Sequence, residues 1–315
     1  MTRRLPIIAA IALPWLAPRV VFGAPAERAI WSWEQASYEM VRDPSAGEAA
    51  IEFLRSKHIH TLYLYADAYG GQNLIEAQPE LYQRFISRLH HRGLRAYALL
   101  GSGYLHTEEY VLPEHRAAAL AMFRRVLDYN VAAGGDERFD GVNLDIEPHI
   151  LDQWPARKLQ LLQQFLDLGQ ALMDLKHAAG QPLAVGPAIP FWLDGIELDW
   201  RGQSKPASEH VLDIYDYAAL MDYRDHAAGG DGIVSLAADE MAYAERLHKR
   251  LVIGIDVSPD EIQKLSFDHL TEADLERELA LTAKAFRGNH AFAGFAIHHY
   301  RRYRDWLART GIGNR

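Results

Sequence analysis

Eight short apolar runs, separated by longer segments of helical period, constrain this chain more than any other feature. The runs lie at 30–33, 61–65, 95–100, 141–146, 183–186, 218–223, 251–255 and 294–298. The clearest helical segments between them are 46–57, 79–92, 114–133, 156–179, 235–248 and 271–286. The runs are rich in Val, Ile, Leu, Tyr and Ala and mostly lack strict polar alternation, so they predict strands buried on both faces. Strand–helix alternation of that kind builds a parallel sheet. Eight repeats over about 285 residues predict a single (β/α)8 barrel. A doubly wound open sheet is the competing topology, but no Gly-rich dinucleotide turn follows the first run. No Pro-, Gly- or Ser-rich linker divides residues 27–315, which are read as one catalytic barrel.

Composition narrows the function. Of 315 residues, 49% are hydrophobic and 24% charged, which suits a globular core rather than a disordered chain. The net charge of −9 is wrong for gripping a nucleic-acid backbone, so no nucleic-acid partner is expected. Cysteine is absent, which excludes disulfides, thiolate metal sites and a cysteine nucleophile.

Residues 1–26 have the order of an export leader. Arg3 and Arg4 precede an apolar stretch over 5–16, and the small residues Gly23, Ala24 and Ala26 follow. The apolar stretch is too short to span a bilayer. Thr2-Arg3-Arg4 also matches a minimal twin-arginine signal. The expectation is a secreted or periplasmic protein with no membrane-spanning segment in its mature chain.

The fourth run carries the sharpest chemical signal. It reads Phe139-Asp140-Gly141-Val142-Asn143-Leu144-Asp145-Ile146-Glu147-Pro148. Strand side chains alternate faces, so Asn143, Asp145 and Glu147 share one face while Val142, Leu144 and Ile146 share the other. In a barrel the apolar set packs on the helices and the polar set points to the axis and mouth. Two carboxyls two residues apart repel, and burial adds to the repulsion, so at least one is expected to hold its proton near neutral pH. A general acid needs that state.

The segment 139–147 resembles the active-site signature of family 18 glycoside hydrolases, the chitinase-like barrels, and falls on the fourth strand as it does there. Met221-Asp222-Tyr223 on the sixth run resembles that family's Met-x-Tyr segment. The resemblance implies a substrate-assisted retaining mechanism. Glu147 would protonate the glycosidic oxygen, and the substrate's own N-acetyl carbonyl would be the nucleophile. Asp145 would orient that group, Tyr223 would hydrogen-bond to it, and Asn143 would support Asp145. The chain departs from the family pattern at three places. Arg224 stands where Asp usually follows the tyrosine, His298-His299-Tyr300 ends the eighth run where a tryptophan is usual, and Ile146 replaces a common aromatic.

Other strand ends supply candidate sugar contacts. One of Trp31 and Trp33 should face the mouth. Tyr65 and Asp67 close the second run, and aromatic rings there would stack on the apolar faces of sugars. Asp222, Arg224, His298 and Tyr300 complete the candidate substrate-binding set. Asp256 ends the seventh run and offers a second mechanism, as the carboxylate partner of Glu147 on a non-acetylated glycan. The alternative reading of Asp256 is a helix cap before Ser258-Pro259. His149, His226, His298 and His299 lie near strand ends, but no H-x-x-x-H or HExxH spacing points to a metal, and no cofactor is expected. The expected partner is a polysaccharide or oligosaccharide, and the expected activity is hydrolysis of its O-glycosyl bonds. A carbohydrate-binding barrel without catalysis is the alternative class.

Overall fold

The computed structural model describes residues 26–311. The expected leader, apart from Ala26, lies outside the described residues. Eight parallel strands close into a barrel: β1 (Arg28–Ser32), β2 (Thr61–Tyr65), β3 (Arg95–Leu100), β4 (Gly141–Leu144), β5 (Ala184–Pro190), β8 (Tyr217–Met221), β9 (Arg250–Asp256) and β10 (Phe292–His298). Each pairs with the next in chain order, and β10 pairs back to β1 through Arg28 opposite Phe295. Between β5 and β8 an antiparallel hairpin interrupts the repeat, made of β6 (Glu197–Trp200) and β7 (Gln203–Pro206). Among the described residues no helix is long and apolar enough to cross a membrane.

All eight expected runs are strands, with shifted ends. β5 continues four residues past the expected end at Gly186, through Pro187 and Pro190. Proline removes a ladder donor and reads as punctuation, yet here the surrounding ladder carries it. β4 stops two residues early: the Asp145 N–H still bonds to Leu100 O at 2.7 Å, and the chain then leaves the ladder ahead of Pro148. β8 ends at Met221, where the Asp222 N–H turns back to Leu220 O at 2.9 Å.

The helices show larger differences. Helices at Glu34–Arg42, Ala207–Ile214 and Tyr300–Gly311 were not among the clear periodic segments, and the expected helix over 235–248 is two, Ile233–Leu236 and Ala238–Arg246. The helix Glu272–Ala285 starts with a reciprocal cap, in which Thr271 Oγ1 accepts from the Asp274 N–H and Asp274 Oδ2 accepts from the Thr271 N–H.

The barrel interior is an aromatic layer. Trp31, Tyr63, Tyr97 and Tyr217 follow one another at centroid spacings of 5.3, 5.8 and 5.9 Å. Gly141 makes room for this layer, since a Cβ there would stand 2.5 Å from the Tyr97 ring. Asn143 lies within the layer. Its Oδ1 accepts from the Trp31 indole N–H at 2.8 Å, and its Nδ2 donates to Tyr217 Oη at 3.3 Å and Gly186 O at 3.4 Å. A buried amide whose groups are all paired costs little, and its neighbours hold it in one orientation. On the opposite face Val142, Leu144 and Ile146 are buried in the core that includes helix residues such as Leu162 and Phe165. Each such side chain contributes roughly 1.5–3 kcal/mol by leaving water.

Candidate active site

The strand ends above the aromatic layer bring five of the sequence candidates together: Asp145, Glu147, Tyr223, Asp256 and His298. Trp33 joins them at the rim. Asp145 and Glu147 lie just past β4, so their positions follow from the inward face that Asn143 starts.

Gly101 lets the β3 end approach closely. It has φ +107°, and a Cβ there would stand 2.1 Å from the Asp145 carbonyl oxygen. The next residue, Ser102, donates its hydroxyl to Glu34 Oε1. Glu34 opens the helix that follows β1, so a third carboxylate is tied to the segment packed against Asp145.

The charges set the protonation pattern. Burial pushes the Asp145 carboxyl well above the ordinary range, and the negative charges of Glu147 and Glu34 add to it. The Glu147 carboxyl is raised as well, by burial first; His298 opposes the rise and Glu108 adds to it. Asp256 differs. Burial alone would raise it, but His298 and the Ser258 N–H outweigh that and hold it below the ordinary value. Both contacts fall on one oxygen: Ser258 N–H donates to Oδ1 at 2.8 Å, and His298 Nδ1 lies 3.3 Å from the same atom. Tyr223 stacks on the His298 ring at 5.8 Å. Burial raises its phenol well above its ordinary value, with Asp256, Asp145 and Glu147 adding, so it keeps its proton and serves as a donor. Carboxyls with opposed shifts around one cleft are what acid–base chemistry needs.

Five expected sugar contacts lie elsewhere. Tyr65 is fully buried and donates its hydroxyl to Ala68 O at 2.9 Å, so its ring is core and no sugar reaches it. Asp67 is 1% exposed and pairs with Arg125 Nη2 at 2.7 Å, with Asn73 Nδ2 at 3.2 Å. Asp222 is fully buried, and both its oxygens lack a hydrogen-bond partner. Burial raises it to about 7, and the charges that oppose this are Arg224 and His226, not the cleft. Tyr300 packs edge-on against Phe53 at 5.5 Å, on the outer layer of helices. Its position after His298 in sequence put it near the mouth, but the chain there has already turned into the last helix. Arg224 keeps to the loop after β8, donating to Tyr223 O at 2.7 Å with its guanidinium over the Phe191 ring at 5.0 Å.

Glu34, Ser102 and Glu108 were not singled out by sequence. Glu34 follows Trp33 at the predicted end of the first strand, and that position was the one available signal. Ser102 caps one 3₁₀ turn after β3 and Glu108 lies in the next, and these turns have no periodicity to read. Two tryptophans were also missed: Trp154 and Trp192 pack at 6.0 Å beside His149. Among the described residues no three His, Asp or Glu side chains converge as a metal site. A cavity of about 350 Å³ opens at the opposite, N-terminal end of the barrel, lined by Arg28, Thr61, Arg95, Asp216 and Arg250. The carboxyls at the C-terminal ends of the strands stand where barrel chemistry takes place.

No protein-family model matches the chain, and no curated protein sequence matches it. Solved structures do. A chitinase from Bacteroides thetaiotaomicron is 12% identical with a TM-score of 0.55, over 89% of this chain and 91% of that one. A GH18 chitinase from Cycas revoluta, solved in complex with (GlcNAc)3, is 13% identical with a TM-score of 0.55, over 90% and 98%. A beta-galactosidase from the psychrophilic Marinomonas ef1 also reaches 0.55 at 11% identity, over 87% of this chain and 54% of that one. At such identities the likeness is one of fold: the chain is a (β/α)8 barrel that resembles the family 18 chitinases.

Proposed function

We propose that the protein is a glycoside hydrolase in which Glu147 is the general acid. The observation that carries this is that Glu147 and Asp145, whose burial favours the protonated form, stand at one barrel mouth with Asp256, whose Oδ1 is held by His298 and the Ser258 N–H in favour of the anion. Glu147 gives its proton to the glycosidic oxygen as the bond to the anomeric carbon breaks. Asp145 orients the substrate's N-acetyl group, whose carbonyl oxygen attacks that carbon, by accepting a hydrogen bond from the group's N–H as positive charge develops there. Tyr223 donates a hydrogen bond to the same group. Water then opens the ring, giving its proton back to the Glu147 carboxylate, with retention. Trp33 and His298 form the sugar-facing rim. The leader-like residues 1–26 support export to the periplasm or medium, where polysaccharide is met.

A second reading is favoured by one observation. Asp256 is held ionised through Oδ1, and neither of these contacts uses Oδ2. Such a carboxylate suits a nucleophile attacking a sugar without an acetamido group. Product analysis on an N-acetylated oligosaccharide beside its non-acetylated counterpart separates the two. Cleavage of the acetylated chain, with Asp145→Asn severe and Asp256→Asn mild, supports the first. Cleavage confined to the non-acetylated chain, with a trappable glycosyl-enzyme, supports the second. Binding of both without cleavage of either contradicts hydrolase function.

A further inference from the structure

His149 follows the catalytic-strand segment by two residues and has no part in the chemistry above. Its Nε2 lies 3.3 Å from Glu147 Oε2. The ring stands edge-on to Trp192 at 5.2 Å and 89°, and edge-on to Trp154 at 6.2 Å and 74°. The two indoles come from different elements, the turn after β5 and the start of the helix Trp154–Ala179. The space among Ile146, Glu147, Pro148, His149, Trp154 and Trp192 amounts to about 10 Å³, room for one water. The two indoles thus hold the imidazole from one side.

We propose that His149 is a positioning residue for Glu147: held by Trp154 and Trp192, it donates Nε2–H to Oε2 and so leaves Oε1 as the oxygen that carries the proton to the leaving group. This rests on Glu147 being the acid. Burial lowers the His149 ring below its ordinary value, so it is neutral near pH 7 and carries one ring proton. A neutral donor orients the carboxyl without the full positive charge that would strip its proton. At 3.3 Å the contact is long and is not aligned as a hydrogen bond, as is common for catalytic contacts before substrate binds. The other charged groups facing Glu147 are Asp145, Glu108 and His298.

The test needs no substrate. Carboxyl carbon NMR titrations, with Glu147 assigned through Glu147→Gln, are compared in wild type, His149→Phe and His149→Gln, and nitrogen NMR reads the His149 tautomer. The expected results are an Nε2–H tautomer, an upward shift of the Glu147 midpoint in His149→Phe because a donor to its anion is lost, and restoration in His149→Gln, whose amide reaches the same place. The Nδ1–H tautomer, or an equal midpoint in all three proteins, overturns the proposal. An upward shift that His149→Gln fails to reverse also overturns it, since packing alone then explains the shift. A wild-type Glu147 that titrates at the ordinary carboxylate value instead strikes the assignment of Glu147 as the acid, which separates the two failures.

Discussion

Trp33 donates its indole N–H to His298 Nε2 at 3.2 Å. An indole nitrogen only donates, so Nε2 is the acceptor and the neutral ring carries its proton on Nδ1, toward Asp256. A tryptophan just past the first strand thus sets the tautomer of a histidine on the last, and through it favours the anion of a carboxylate on the seventh barrel strand.

Trp33→Phe removes that donor and keeps the ring. His298 Nε2 is then free to change tautomer or to take a proton, so the ring no longer holds Asp256 in one fixed way. The Asp256 midpoint should shift in a carboxyl NMR titration, with up to about a tenfold loss of turnover, the worth of one hydrogen bond. An unchanged midpoint contradicts the relay.

Asp222 and Glu240 give a stability signature. Burial raises Asp222 from 3.8 to about 7 and Glu240 from 4.5 to about 8. The folded state binds these protons more tightly than the unfolded one, so the penalty is absent below the unfolded values, grows as pH rises from about 4 to the folded values of about 7 and 8, and levels off above them. Asp222→Asn should therefore be close to wild type in urea stability near pH 3.5, already more stable at pH 5, and more stable at pH 8.5 by up to about 4 kcal/mol at roughly 1.4 kcal/mol per unit. Glu240→Gln should behave alike. A pH-independent difference contradicts the assignment.

Gly101→Ala tests the close approach of β3 to the acid segment. The added Cβ meets Asp145 O at 2.1 Å at a positive φ, so either the backbone shifts or the barrel is destabilised, by about 1–3 kcal/mol for the strain alone. Activity should fall more than the folded fraction, because Asp145 moves. Parallel measurement of the urea midpoint and of turnover distinguishes this from simple unfolding.

Asp67→Ala tests a correction. Removing one partner of the buried Asp67–Arg125 pair should cost about 3–5 kcal/mol in denaturant unfolding. The kcat/KM of the folded enzyme should stay at the wild-type value, and a large loss there would return Asp67 to the cleft.

The barrel was legible because its strands are buried on both faces and so read as apolar runs. The acid pair was legible because Asp145 and Glu147 break that rule on one face only. Strand ends misled where the chain turned. Tyr65 and Tyr300 were placed at the mouth by sequence position, yet the first fills the core and the second begins a helix. Asp222 was taken for a sugar contact from its place between Met221 and Tyr223, whereas its carboxyl meets the field of Arg224 and His226. Glu34 works through a contact with Ser102, 68 residues away, which no local pattern encodes.

The central claim is that Glu147 delivers the proton that breaks a glycosidic bond. Glu147→Gln keeps the shape and removes that proton. Turnover of an unactivated oligosaccharide, measured by product analysis alongside binding of the same sugar, tests it most directly. The account predicts a loss of about 10²–10⁴-fold in turnover with binding retained. Turnover within a few-fold of wild type would contradict it.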